Sequence, residues 1–236
     1  MAETVRIAVL LPALAVSLAA ACGRARAQEF LDRGTFLIER AGNEVGREEF
    51  AIRRAPGRGG AGGILAVATV HFRDRELRPA LELTGDLTPL SYQVDVSVGG
   101  RVVERRSAQF ARGRVAARLA TQLHEVLREF PAGPGVALFD EDALHQLYFL
   151  PRAAAGEPRA LRLLLPRGPS IAAAEVRLVG PDTVTVAGHP VPADRFSLRI
   201  EGGEEREFWF TSSGDLLRVA IPARELTATR TSLPPR

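Results

Sequence analysis

Apolar and polar residues alternate strictly over residues 92–98, and this period of two constrains the fold more than any other feature. The apolar positions of the run are Tyr92, Val94, Val96 and Val98. Such alternation places every second side chain on one buried face of a β-strand and leaves the other face exposed to solvent. The run ends at Gly99-Gly100, a two-residue hairpin signal that leads into Val102 to Phe110. The sequence therefore predicts an antiparallel hairpin here.

The same alternation recurs along most of the chain from Gly34 onward. Further runs are Phe36 and Ile38; Phe50 and Ile52; Ala174, Val176 and Leu178; Phe196, Leu198 and Ile200; and Leu217, Val219 and Ile221. Turn residues separate them at the short intervals of a meander. About a dozen strands in one domain would make a flat sheet too wide. We therefore expect a mostly β fold, with one strongly curved antiparallel sheet that forms a barrel or half-barrel.

One or two short helices are expected within this sheet protein. The clearest runs from Asp140 to Leu150, where Asp140 is suited to cap the helix and Glu141 and Asp142 favour its positive end. Its apolar stripe consists of Leu144, Leu147 and Tyr148. Pro151 would end it.

Residues 115–130 fit two structures. A helix would align Leu119, Leu123, Val126, Leu127 and Phe130, whereas a strand would align Val115, Ala117, Leu119 and Thr121. Periodicity slightly favours the helix. The segment Ala111-Arg112-Gly113-Arg114 resembles a hairpin turn and favours a strand for the first half.

The N-terminal 27 residues have the order of a secretory signal peptide. Arg6 precedes an apolar run from Ile7 to Ala21, and Ala25-Arg26-Ala27 forms a small-residue cleavage site. The apolar run is shorter than the roughly 20 residues that a membrane-spanning helix needs. We expect residues 1–27 to be removed, residues 28–236 to form a single β domain, and the protein to be exported to the periplasm or the extracellular space.

Cys22 is the only cysteine. It follows small residues, as in bacterial lipoproteins, where this cysteine is acylated. Ala19, however, stands where the lipoprotein pattern has a large aliphatic residue. Lipidation at Cys22 is therefore the less favoured alternative to cleavage after Ala27. Cleavage there would leave no cysteine for disulfides, thiol catalysis or zinc.

The charge of the chain does not indicate a nucleic-acid partner. Removal of residues 1–27 leaves 28 basic and 27 acidic residues, and every basic residue is arginine. No basic patch suggests contacts with phosphates. The charge runs Arg101 to Arg106 and Glu204 to Glu207 are interpreted as solvated strand faces.

No catalytic or metal-binding motif is recognisable. The acidic run Asp140-Glu141-Asp142 is interpreted as helix capping rather than as a metal or general-acid site, because consecutive helical residues diverge. The histidines lack zinc-ligand spacing; His145 is expected on the polar side of the helix and His189 in a turn, both in solvent. No serine lies in a nucleophile elbow. We therefore expect no cofactor and no enzymatic activity, although a site assembled from distant strands stays open.

Tyr92 and Trp209 are the candidate binding residues, because an aromatic ring on a barrel strand lines a ligand cavity as readily as it fills a core. Trp209 lies between Phe208 and Phe210, so alternation puts it on the opposite face from both. One of these faces is expected to carry an exposed or ligand-shielded aromatic surface.

Two segments resemble uncharacterised exported bacterial β proteins. The first contains Gly34, Phe36, Ile38, Gly42, Val45-Gly46, Glu48 and Phe50; the second contains Glu207-Phe208-Trp209-Phe210, Gly214 and Leu216-Leu217-Arg218-Val219. The resemblance spans Gly34 to Pro222 and implies a fold but no catalytic motif. In architecture alone, a sheet around a short helix resembles the periplasmic lipoprotein localisation factors, which shelter acyl chains.

These observations favour a non-enzymatic exported protein that binds an apolar or lipid-like ligand, or another envelope component, inside its curved sheet. The first alternative is a structural or interaction module of the cell envelope that uses an exposed sheet edge or strand face. The second is an enzyme whose carboxylates converge from separate strands.

Overall fold

The computed structural model describes residues 29–56, 62–133, 135–153 and 158–234. The predicted signal peptide and Cys22 lie outside these residues. The described strands are β1 (Phe30–Arg40), β2 (Asn43–Pro56), β3 (Gly62–Phe72), β4 (Glu76–Thr84), β5 (Pro89–Val98), β6 (Arg101–Ala111), β7 (Arg114–Thr121), β8 (Glu125–Pro131), β9 (Val136–Leu138), β10 (Arg159–Leu165), β11 (Ser170–Val186), β12 (His189–Ile200), β13 (Arg206–Phe210), β14 (Leu216–Ile221) and β15 (Leu226–Arg230). Among the described residues, no helix has the length and apolar character needed to span a membrane.

All the described strands belong to one sheet, in the order β8-β7-β6-β5-β4-β3-β2-β1-β15-β14-β13-β12-β11-β10-β9. Apart from the parallel pair β9–β10, neighbouring strands are antiparallel. Nearly every neighbour in the sheet is also a neighbour in the chain. The exception in the middle is β1–β15, where Ile38 pairs with Ala228. The sheet is therefore two meanders joined along β1 and β15.

The sheet is strongly curved, as the sequence predicts. Laid flat, 15 strands spaced by about 4.8 Å would place β8 and β9 roughly 67 Å apart. The chain passes from Pro131 at the end of β8 to Val136 at the start of β9, and five residues reach at most about 18 Å. The two ends of the sheet therefore lie close together, and β9 lies against β5. The structure is an open, barrel-like wall with a seam between β8 and β9.

The predicted hairpin over residues 92–110 is confirmed, and the predicted turn at residues 111–114 joins β6 to a further strand, β7. Gly99 and Gly100, with φ of 56° and 77°, join β5 to β6 in the left-handed conformation that such turns require. Residues 114–131 form a hairpin of β7 and β8, in which Leu119 pairs with Val126. The helical interpretation of residues 115–130 is therefore wrong, because the turn after Thr121 brings these apolar residues together across two strands.

Residues 136–153, which we call the interior segment, fill the inside of the barrel. The segment runs along the barrel from β9 through two 3-10 helices, Leu144–Tyr148 and Leu150–Arg152. Its buried apolar side chains join the main core: Leu138, Phe139, Leu144, Leu147, Phe149 and Leu150. The predicted helix from Asp140 to Leu150 is thus shorter and tighter than expected. Its N-cap position is Ala143, without a side-chain cap, because the carboxylate of Asp140 is engaged elsewhere.

A small second core lies on the outer face of the sheet. The β11–β12 hairpin bends at a bulge beside Gly180, and its far half folds over β13 and β14. Val184 and Val186 of this half, which we call the hairpin arm, pack with Trp209. Trp209 is only 5% exposed. The expectation of an exposed or ligand-shielded aromatic face is therefore wrong, because the protein's own hairpin covers the indole ring.

Candidate functional site

Buried ion pairs fix the interior segment to the wall of the barrel. Arg106 on β6 is 1% exposed, and its Nη1 atom lies 2.9 Å from Oδ2 of Asp140 and 3.2 Å from Oδ2 of Asp142. The hydroxyl of Tyr92 on β5 donates to Asp140 over 2.7 Å. Arg75, in the β3–β4 turn, donates to Asp142 over 3.0 Å. The acidic run therefore neutralises a buried arginine rather than capping a helix.

Glu141 points to the other side of the barrel from its two acidic neighbours. Its carboxylate pairs with Arg206 on β13, which is fully buried. The interpretation of residues 101–106 and 204–207 as solvated faces is therefore wrong for Arg106 and Arg206. Both are in phase with buried residues of their strands, such as Ala108 and Phe208. The sequence did contain a signal for this burial, because each arginine occupies a position that alternation places on the buried face of its strand.

Glu48 on β2 holds the first 3-10 helix. Its carboxylate accepts the backbone N–H groups of Leu144 and His145, each over 2.9 Å, and lies 2.5 Å from Nδ1 of His145. The His145 ring is fully buried and stacks on Phe50. The expectation that His145 faces solvent is therefore wrong, whereas His189 is exposed beside the turn at Gly188.

A further buried pair joins the two meanders. Arg230 on β15 pairs with Asp32 on β1 and donates to the backbone carbonyl of Arg33 over 3.0 Å. A Cβ atom on Gly34 would lie 2.9 Å from a guanidinium nitrogen of Arg230. Glycine at this position of the resemblance motif therefore makes room for a buried arginine.

Burial and pairing shift the pKa values of these groups. Burial alone would lower the pKa of Arg106, but the charges of Asp140 and Asp142 outweigh it and raise this pKa. Burial lowers the pKa of Arg206 against the effect of Glu141. Burial, and then the neighbouring Asp140, raise the pKa of Tyr92 well above its usual value. Tyr92 is thus a hydrogen-bond donor within the wall.

The first turn of the interior segment forms the floor of a cavity at one end of the barrel. We call this end the mouth; it is bounded by the turns β1–β2, β3–β4, β10–β11 and β14–β15. The cavity has a volume of about 550 Å³, within the range of small-molecule sites. Its apolar lining consists of Ile38, Val45, Phe72, Leu144, Ile221 and Leu226.

Arginines dominate the charged lining of the mouth. They are Arg40, Arg73, Arg75, Arg167 and Arg224, and the acidic side chains are Asp74, Glu141 and Asp142. A larger concavity, of about 670 Å³, lies on the outer face of β1 to β3. Its charged residues, Arg33 and Glu49, are exposed and opposite in sign. Of these two concavities, the mouth is the one that combines an apolar floor with an excess of one charge.

The structure brings neither predicted binding residue to the mouth. Tyr92 is 1% exposed and is engaged with Asp140. Trp209 lies under the hairpin arm, where its indole nitrogen donates to Asp182 over 2.8 Å. The mouth residues were missed because they come from four separate turns. Alternate turns of a meander lie at the same end of the sheet, so counting strands would have grouped them.

The described residues contain no group of three or more histidine, cysteine, aspartate or glutamate side chains suited to a metal ion. The carboxylates of the interior segment are occupied by arginines. The pairing of Glu48 with His145 forms a carboxylate–imidazole pair, but His145 is not among the residues that line the mouth. Apart from the exposed carboxylate of Asp74, the open charged groups of the site are guanidinium groups, which donate hydrogen bonds to anions.

No family model and no curated protein sequence matches this chain. Among solved structures, it is similar to a β-barrel-like protein of the domain of unknown function DUF1849 from Brucella abortus. The two share 10% sequence identity with a TM-score of 0.49, over 86% of this chain and 96% of that chain. The chain is thus similar to a β-barrel-like protein of unknown function.

Proposed function

We propose that the protein is a non-enzymatic binding protein of the cell envelope, which seats an apolar or amphipathic ligand at the mouth of its barrel. The observation that carries this proposal is the apolar-floored cavity above the interior segment. The sequence suggested a ligand inside the curved sheet. The interior segment fills that space, so the mouth offers the apolar concavity instead.

Filling the cavity tests this proposal. Leu226 is half-buried in the cavity lining, and Leu226→Trp would place an indole ring in the ligand space. We expect the purified wild-type protein to bind an apolar fluorescent dye and to release a copurified amphiphile on solvent extraction. The substitution should weaken dye binding about tenfold or more, because the indole ring takes the volume in which the dye would bury its apolar surface.

Val179→Trp is the matched control, because Val179 is exposed on β11, outside the mouth lining. It should bind the dye like the wild type. Equal binding by both variants would refute the mouth as the ligand site. Absence of any bound amphiphile and of dye binding by the wild type would refute the proposed function as a whole.

Export is part of the proposal and rests on the signal-like order of residues 1–27. The intact mass of the protein recovered from its native host tests it. Cleavage after Ala27 gives a chain that begins at Gln28, whereas processing at Cys22 gives a chain with an acylated cysteine. An uncleaved chain in the cytoplasm would refute export.

A role as an interaction module is the second candidate, and the edge strand β8 favours it. β8 pairs with β7 only, and no described strand pairs with its other edge. Leu123, before it, is 94% exposed, and Leu127 within it is 63% exposed. An open edge with apolar side chains is suited to strand addition by an extended peptide.

A photo-crosslinking residue in place of Leu127 tests this role in cells. The control position is Ala116 on β7, a strand that is paired on both edges. If β8 accepts a partner strand, one defined product should form from position 127 and be lost when Glu129→Pro removes a backbone N–H that points away from β7. Crosslinking that is equal at both positions would contradict the role.

A further inference from the structure

We infer that the ligand of the mouth carries an anionic headgroup, a carboxylate or a phosphate, next to its apolar part. This inference rests on the proposed function and adds the charge of the ligand. It comes from the ring of arginines at the rim, which four separate turns bring to the same end of the barrel.

The acidic side chains of the lining do not neutralise this ring. Asp142 is bound by the buried Arg106 and by Arg75, and Glu141 is bound by the buried Arg206. The charges of these two carboxylates are therefore largely neutralised by the arginines that bind them. Asp74 is the remaining acidic residue of the lining, and it is exposed in the β3–β4 turn.

Two arginines of the rim have no ion-pair partner within the described part of the chain. Arg40 ends β1 and Arg73 follows β3, and both are exposed. Arg167 is 3.9 Å from Asp142, a carboxylate already shared by two closer arginines. Arg224, by contrast, pairs with Glu204. The unpaired positive charge is thus concentrated on Arg40, Arg73 and, in part, Arg167.

Guanidinium groups around one opening repel each other, and an anion between them relieves that repulsion. A guanidinium group also matches the two oxygens of a carboxylate or phosphate in a bidentate geometry. Next to an apolar floor these interactions are screened less than in open water. The rim is therefore suited to an anion held near the surface.

The floor explains why the ligand should be an amphiphile rather than a free anion. Ile38, Leu144 and Ile221 are buried beneath the rim, and Phe72 and Leu226 are half-buried beside them. A free phosphate ion would leave the open apolar surface of Phe72 and Leu226 uncovered. A headgroup at the rim with an attached chain on the floor would use both parts of the cavity.

Competition between amphiphiles of equal chain length tests the inference. An apolar dye bound to the wild-type protein would be challenged with dodecyl phosphate, dodecanoate and dodecyl maltoside, each below its micelle concentration, and separately with inorganic phosphate. We expect the two anionic amphiphiles to compete about tenfold or more better than the maltoside. This advantage should shrink in about 0.5 M salt. Inorganic phosphate should not displace the dye.

Charge-reversal variants assign the effect to the rim. Arg40→Glu combined with Arg73→Glu should remove the preference for anionic amphiphiles, measured as their competition relative to dodecyl maltoside on the same variant. Arg162→Glu is the control, because Arg162 is exposed on β10, away from the mouth lining.

The outcomes separate the two proposals. Equal competition by anionic and neutral amphiphiles would overturn the inference and leave the proposed function intact. Failure of every amphiphile to displace the dye would overturn the proposed function. Displacement by inorganic phosphate as strong as by dodecyl phosphate would also overturn the inference, since the site would then recognise a free anion.

Discussion

Single charged residues in phase with core positions determine how the barrel is filled. Glu48 lies in phase with Phe50 and Ile52, yet it is a carboxylate that accepts hydrogen bonds from Leu144 and His145. A buried acceptor of this kind is costly to remove, because its donors are left without partners. Charged residues at such positions therefore fix the interior segment to strands that lie far from it in the sequence.

Glu48→Ala should lower the free energy of unfolding by about 3–5 kcal/mol, since it leaves two buried N–H groups and an imidazole without their acceptor. Urea unfolding measures this change. Glu49→Ala, one residue along on the exposed face, is the control and should change stability by less than about 0.5 kcal/mol. Similar small effects of both substitutions would contradict the role of Glu48.

The titration of Tyr92 can be followed by absorbance, because the chain has only two tyrosines. Burial and the charge of Asp140 raise the pKa of Tyr92 well above the usual value of about 10. The folded protein keeps this proton where the unfolded chain loses it. The contribution of Tyr92 to stability is therefore complete below about pH 10 and decreases as the pH rises above that value.

Phenolate absorbance during alkaline titration tests this statement. Burial also raises the pKa of the half-buried Tyr148, and Tyr148→Phe removes its signal. In that variant we expect no phenolate until the protein unfolds. A phenolate signal near pH 10 from the folded variant would show that Tyr92 is open to solvent.

At the scale of elements, the sequence predicts strands better than it predicts what covers them. Alternation identified the β5–β6 hairpin, which has its own turn residues. For β7, periodicity slightly favoured a helix, and the turn at residues 111–114 was what favoured a strand. Alternation also placed Trp209 correctly on the face opposite Phe208. It did not show that the hairpin arm covers this face, because the fold-back depends on the bend beside Gly180 and on contacts with distant strands.

The hairpin arm gives a test at this scale. Val186 is fully buried in the outer core, so Val186→Asp should detach the arm and expose Trp209. Trp209 is the only tryptophan, and its emission should shift to longer wavelength. Thr185→Asp is the control, because Thr185 is exposed, and its emission should stay unchanged. An unchanged spectrum of Val186→Asp would contradict the packing of the arm on Trp209.

At the scale of the whole molecule, the interior segment connects the two meanders. It is bound to β2, β5 and β6 on one side and to β13 on the other. The number of strands and the short turns between them predict a curved sheet, but they do not predict which residues fill it. The acidic run 140–142 looked like a helix cap because its arginine partners lie more than 30 residues away in the chain.

We expect this connection to make unfolding a single cooperative transition. Trp209 fluorescence reports on β13 and far-ultraviolet circular dichroism on all strands, and their urea midpoints should coincide. Glu48→Ala should lower both midpoints equally, although Glu48 lies in the other meander. Two separate transitions would indicate that the meanders unfold independently.

The pairing of β1 with β15 sets the order in which the sheet is completed. Hairpins along each meander are local and form within microseconds, whereas Ile38 must meet Ala228 across nearly the whole domain. The edge of β1 that faces β15 stays unpaired until β15, the last described strand, has been made and has reached it. Bare strand edges promote aggregation, so the newly made chain is exposed to this risk for longer than its many hairpins would suggest.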